Sequence, residues 1–174
     1  MDPFQEFSRK RTEFERAKRE IIIGLFGSFK RDEIRHLRQA LLDDKYHVKI
    51  SLDLESELPK KPGISDDEYN YELSVALVNR CDIYIFLFHR ERRGEHAINQ
   101  SASMELQYFA TRKQSKSALI LLEQGYIAQS GGVFKGLKAK THGTWRWETY
   151  RNFQALQDIA KKFIFNRILA FAHS

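Results

Sequence analysis

The chain has 174 residues and a mass of 20.5 kDa, a length that predicts one domain over 1–174. With 42% hydrophobic and 30% charged residues, and 13 Phe, 7 Tyr and 2 Trp, wholesale disorder is excluded. Lysine and arginine number 29 against 23 acidic residues; the net charge of +6 admits a nucleic acid, an anionic lipid or a phosphorylated small molecule and selects none. Residues 1–20 are predicted as a charged helical extension, with Phe4, Phe7 and Phe14 loosely on one side. The α/β core is predicted over 21–147. Its opening run IIIGLFGS, residues 21–28, is β-branched and ends on glycine, as a buried parallel strand feeding a loop does. Ile34, Leu37, Leu41 and Leu42 then fall at helical spacing. His47–Leu54 alternates polar and apolar and predicts a second strand, followed by a Pro- and Gly-containing loop over 55–64. Ser65 with Glu68 is a capping box ahead of Leu73, Ala76 and Leu77, so a helix is expected to about Arg80.

Cys81–Phe88, CDIYIFLF, is the strongest strand signal and predicts a central position. A polar loop leads to the helix MELQYFATRKQ and the strand SALILLE. Residues 125–140 read as a loop containing glycine and lysine, and Thr141–Trp147 as a short edge strand. The C-terminal segment 148–174 is predicted as a long amphipathic helix through residue 171. Strands alternating with helices imply a doubly wound, mostly parallel five-stranded sheet with helices on both faces. Sites in such sheets form at the carboxyl ends of strands, near the point where strand order reverses. Cys81 is the single cysteine, so no intrachain disulfide forms. The six histidines show no HxxxH pair, and no metal or other cofactor is expected. The first 20 residues lack the apolar stretch of a leader, and no apolar run is long enough to span a bilayer; a soluble cytoplasmic protein, possible as a homo-oligomer, is the expectation.

Three features carry candidate chemistry. The loop GLFGSFK is neither a dinucleotide fingerprint nor a P-loop, but Gly24, Phe26, Gly27 and Ser28 can wall a ligand site. Glu105 reads as lying at the start of a helix, where the macrodipole and free N–H groups would hold a carboxylate ionised. The capped helix carries Asp66, Asp67, Glu68 and Glu72, of which Glu72 is deepest, and Tyr69 and Tyr71 can stack on a planar base. Two basic groupings complete the picture. Lys135, Lys138, Lys140, His142, Trp145, Arg146 and Trp147 form one; Arg90, Arg92 and Arg93, near the expected mouth, form a candidate phosphate contact. Glu91 interrupts the second grouping and no recognised nucleic-acid motif is present, so nucleic acid is not expected as a partner.

The stretch DEYNYELSVALVNRCDIYIFLF, followed by SASMELQYFA and SALILL, resembles the nucleoside 2-deoxyribosyltransferase family. The matching residues are Tyr69, Asn70, Glu72 and Leu73, then Asp82 and Ile83, then Met104, Glu105, Leu106 and, one place late, Ala110. The opening strand and glycine loop, Ile21–Phe29, sit in the expected place, and the likeness covers roughly residues 21–122. The resemblance implies a flavodoxin-like strand order and an enzyme that cleaves the N-glycosidic bond of a nucleoside or nucleotide through a glutamate nucleophile. That nucleophile falls on Glu105, and the acid that contacts base or sugar falls on Glu72. Tyr69, Asn99, Ser101, Ser103 and Met104 fall at substrate-binding positions. The sequence departs from the family in three places. Asn99 replaces an acid, Ser101 and Ser103 replace glycines, and Glu72 replaces an aspartate. The final helix also lacks a resemblance to the family's C-terminal segment. These departures keep open a non-catalytic nucleotide-binding or sensing module on the same fold. A TIR-like domain that cleaves NAD with a glutamate nucleophile is a further alternative.

Overall fold

The computed structural model describes residues 2–113, 116–141 and 145–172, apart from the side chain of Val133. The first helix, α1, spans Pro3–Glu20, with the Asp2 side chain accepting from the Phe4 N–H and Pro3 in the first turn. None of its residues is buried. Phe14 packs against Phe165 at 5.2 Å between ring centroids, while Phe4 and Phe7 stand exposed. The three phenylalanines therefore do not form one packed face.

The core runs β1 (Ile23–Phe26), α2 (Glu33–Asp43), β2 (Val48–Lys49), α3 (Asp66–Arg80), β3 (Ile83–Phe88), α4 (Gln100–Arg112) and β4 (Ala118–Glu123). It continues through α5 (Tyr126–Gln129), α6 (Gly132–Thr141), β5 (Arg146–Tyr150) and α7 (Phe153–Ala172). The five strands are all parallel in the order β2-β1-β3-β4-β5. This is the doubly wound, flavodoxin-like order, and the direction of winding reverses between β1 and β3. On one face Ile23, Leu25, Ile85 and Leu121 meet Leu37 of α2 and Leu156 and Ile164 of α7. On the other, Phe26, Phe86 and Ile120 meet Leu73 and Leu77 of α3 and Leu106 and Phe109 of α4. Alternation along each strand thus feeds two separate apolar layers. Among the described residues no helix is long and apolar enough to cross a membrane.

Three boundaries differ from the sequence expectation. The second strand ends at Lys49, because the Asp53 carboxylate accepts the Ile50 N–H at 2.9 Å and bends Ser51–Leu54 into a 3-10 turn. The Arg38 guanidinium holds that carboxylate with two bonds of 3.0 and 2.7 Å. The segment 125–140 is not a loop: it contains α5 and α6. Phe134 and Leu137 sit at helical spacing and pack toward Tyr126 and Trp145. The edge strand extends to Tyr150, so the last helix starts at Phe153, where the Asn152 side chain accepts from the Ala155 N–H. His142 and His173 lie outside the described residues. The Ser65 half of the expected capping box forms, with Ser65 Oγ accepting from the Glu68 N–H at 3.1 Å.

Candidate functional site

Helices α3 and α4 lie side by side on one face of the sheet and leave a cavity of about 460 Å³ between them. Helical spacing explains which side chains reach it. Asp67, Asn70, Tyr71, Ser74 and Val78 form one stripe of α3; Ser101, Met104, Glu105 and Tyr108 form the facing stripe of α4. Two tyrosine rings and Met104 give apolar walls, while Asn70, Ser74, Gln100 and Ser101 supply hydrogen-bonding groups. Among the described residues no lysine, arginine or histidine lines this cavity.

Glu105 is its distinctive member. It is 8% exposed, in the second turn of α4, where the backbone N–H groups are already used within the helix. The expected helix-start carboxylate is therefore replaced by a buried one. Ser74 Oγ donates to Oε1 at 2.7 Å, and Oε2 is buried without a partner. Burial pushes the carboxyl up to about 8, against the opposing pull of the Ser74 hydrogen bond. At neutral pH this side chain is mainly a neutral acid.

Asp67, Asn70, Tyr71, Ser101 and Met104 join Glu105 in the cavity, but Glu72, Tyr69 and Ser103 do not. Glu72 is exposed and lies outside the cavity lining; it is two positions from Ser74 and so on another side of α3. Tyr69 donates its hydroxyl to the Leu58 carbonyl at 2.7 Å. Ser103 faces the opposite side of α4, where it borders a second cavity of about 760 Å³ walled by Tyr126, Phe134 and Trp145.

The glycine loop serves packing. A Cβ on Gly24 would come within 2.6 Å of Cys81 Sγ and 2.8 Å of Phe26 Cε2, so glycine is required by close approach inside the core. Phe26 stacks on Phe86 at 4.7 Å and is buried. Gly27 packs under Leu87, and Ser28 Oγ accepts from the Lys30 N–H at 3.2 Å. Burial also pushes the Cys81 thiol up to about 12, so it is inert.

The carboxyl ends of the strands hold a second polar assembly. Arg31, in the loop after β1, reaches Glu123 at the end of β4 at 2.8 Å and Glu95 in the β3–α4 loop at 2.7 Å. His89, directly after β3, is fully buried; Tyr150 Oη and His89 Nδ1 share a hydrogen bond of 2.9 Å. Desolvation lowers the His89 pKa, so the ring is neutral at pH 7. Asn99 is committed here: its Oδ1 accepts the His89 N–H at 2.7 Å and its Nδ2 donates to the His89 carbonyl at 2.6 Å. Both ends of its amide are thus committed to clamping the base of the loop. Arg90, Arg92 and Arg93 are exposed on the same loop, with Arg92 Nη2 3.6 Å from Glu123.

No protein-family model matches the chain, and neither the curated proteins nor the solved structures give a significant match. The chemistry of the cavity therefore rests on its own residues. Among the described residues no cluster of three or more His, Cys, Asp or Glu side chains could hold a metal ion. Sequence reasoning missed Ser74 and Tyr108 in the cavity and Arg31 at the strand ends. Ser74 carried a signal: it is a lone hydroxyl flanking the apolar stripe Leu73–Ala76–Leu77. Arg31 carried none, since its partners lie 64 and 92 positions away.

Proposed function

We propose that the chain binds a nucleoside in the α3–α4 cavity and cleaves or transfers its N-glycosidic bond, with Glu105 as the reacting carboxyl. The observation that carries this reading is the Glu105 side chain, which lines the cavity, is held through one oxygen by Ser74 and keeps the other buried without a partner. The volume of about 460 Å³ lies in the range of small-molecule sites, and Tyr71 and Tyr108 offer faces for a base. The cation-free lining suits a ligand without phosphate.

A glycosyl transition state is oxocarbenium-like, so a carboxylate beside the anomeric carbon stabilises it and then captures it. The C1′–N bond breaks with its electron pair leaving on the base nitrogen, which takes a proton from solvent water, and the Glu105–C1′ ester is later opened by water or by an acceptor base. Glu105 must first lose its own proton, which the free cavity retains up to about pH 8. Base release or base exchange with a nucleoside panel should therefore rise with pH through about 8, and Glu105→Ala should lower it by about 10³-fold or more. Full activity in Glu105→Ala would sink the assignment. A rate that instead falls through this pH range would make Glu105 a proton donor.

One observation favours a non-catalytic binding module as the second reading. Glu72 stands outside the cavity and Asn99 is held by backbone, so no second buried carboxyl accompanies Glu105. Calorimetric binding of a nucleoside that is recovered unchanged would select this reading.

A further inference from the structure

Arg31 is buried as few arginines are. Its side chain is 5% exposed, and each guanidinium nitrogen has an acceptor. Nε and Nη2 form a two-pronged contact with the Glu95 carboxylate at 3.0 and 2.7 Å, Nη2 also reaches the Arg90 carbonyl at 2.6 Å, and Nη1 reaches Glu123 at 2.8 Å. The partners differ in how they are held. Glu123 ends a central strand, whereas Glu95 sits at 29% exposure on the loop between His89 and Asn99. Asn99 pins the base of that loop to the His89 backbone. Its far part turns at Gly94 and at Ala97, whose φ of 53° is an unfavourable left-handed conformation for an alanine. Glu95 is thus the removable partner of a fixed cation.

We propose that these strand ends form a binding site for a phosphate monoester, and that Glu95 occupies it as the chain's own stand-in anion. A buried planar guanidinium that already grips one carboxylate through two nitrogens has the geometry that grips two phosphate oxygens. The Arg92 N–H, which donates to Glu95 Oε2 at 2.8 Å, supplies a third donor to the same place. The location is the reversal point between β1 and β3, where open parallel sheets receive ligands. Charge balance agrees. With Glu95 withdrawn, Lys30, Arg31, Arg90, Arg92 and Arg93 still outnumber Asp32, Glu33, Glu91 and Glu123, so the strand ends keep a net positive charge. Glu95 itself is held at a pKa of about 2 by its Arg31 bonds, so it stays a competing anion at neutral pH. This site is separate from the α3–α4 cavity and does not depend on the reaction proposed there.

The test compares the full chain with Glu95→Ala at constant ionic strength, titrating inorganic phosphate, AMP and adenosine by calorimetry. Glu95→Ala should bind AMP or phosphate about ten-fold or more tighter than the unaltered chain, with no gain for adenosine. A gain with AMP assigns a phosphorylated small molecule; a gain with phosphate alone assigns the free ion; both support the site. Adding Arg31→Lys should erase the gain, because an ammonium lacks the fork. A folded Glu95→Ala with no gain for either phosphate probe overturns the proposal. If Glu95→Ala fails to fold, the unaltered chain decides. Phosphate, but not chloride of equal ionic strength, should speed tryptic cleavage after Arg92 and Arg93 by displacing Glu95. Unchanged cleavage with no measurable phosphate binding then overturns it.

Discussion

Arg31 and Glu105 are both buried ionisable side chains next to the same sheet, and the fold treats them in opposite ways. Arg31 donates to two carboxylates and a carbonyl, and although burial opposes its charge, the hydrogen bonds it donates to Glu95 and Glu123 outweigh this and raise its pKa. Glu105 meets one serine hydroxyl, and with only that hydrogen bond to oppose desolvation it keeps its proton. A buried charge that is fully paired contributes to holding loops and strands in register. A buried polar atom left without a partner costs free energy that a bound ligand can recover.

This contrast can be broken from either side. The largest effect on stability is expected at Arg31. Arg31→Met leaves Glu95 and Glu123 without their common cation and should destabilise the chain by about 3–5 kcal/mol, read as a shift in denaturant midpoint. A loss below about 1 kcal/mol, the range of surface ion pairs, would show that the network is no more than that.

Glu105 should behave differently. Its folded pKa of about 8 lies above the ordinary 4.5, so between these values the folded chain keeps a proton that the unfolded chain releases. The stability Glu105 contributes is therefore greatest below about 4.5 and falls as pH rises toward 8, by up to about 1.4 kcal/mol per pH unit. Glu105→Gln removes this slope. Its melting temperature should exceed that of the unaltered chain at pH 8 and converge with it near pH 4.5. The comparison at each pH also cancels His89, whose lowered pKa removes stability as pH falls below its ordinary 6.5. Parallel pH curves for the two proteins would show that Glu105 is ionised in the fold. The smallest effect belongs to Glu72. Glu72→Ala should change stability by less than about 0.5 kcal/mol and leave nucleoside binding unaltered, as measured by thermal melting and calorimetry.

The sequence made the sheet legible wherever local chemistry decided it. The β3 run is apolar at every position, and Ser65 caps its helix through a bond three residues away. It failed where distant or competing partners decided. Asp53 and Arg38 end β2 early despite a continuing alternation, and glycines between Gly125 and Gly136 obscure the helical spacing of Phe134 and Leu137. The same division holds for the site. Glu105 was legible, but its ionisation state was not, because burial and Ser74 come from a packed neighbour helix. Glu72 looked deepest along the chain, yet angle around the helix, and not depth along it, determines what faces the cavity.

The brevity of β2 has a consequence for how copies of the chain behave toward one another. An edge strand exposes a row of backbone donors and acceptors that another polypeptide can extend, the first step of ordered aggregation. Here that row stops after Val48 and Lys49, because the Asp53 carboxylate captures the Ile50 N–H that would come next. A charged side chain and an abrupt backbone turn thus cap this border of the sheet, and a foreign strand finds too short a template on which to grow.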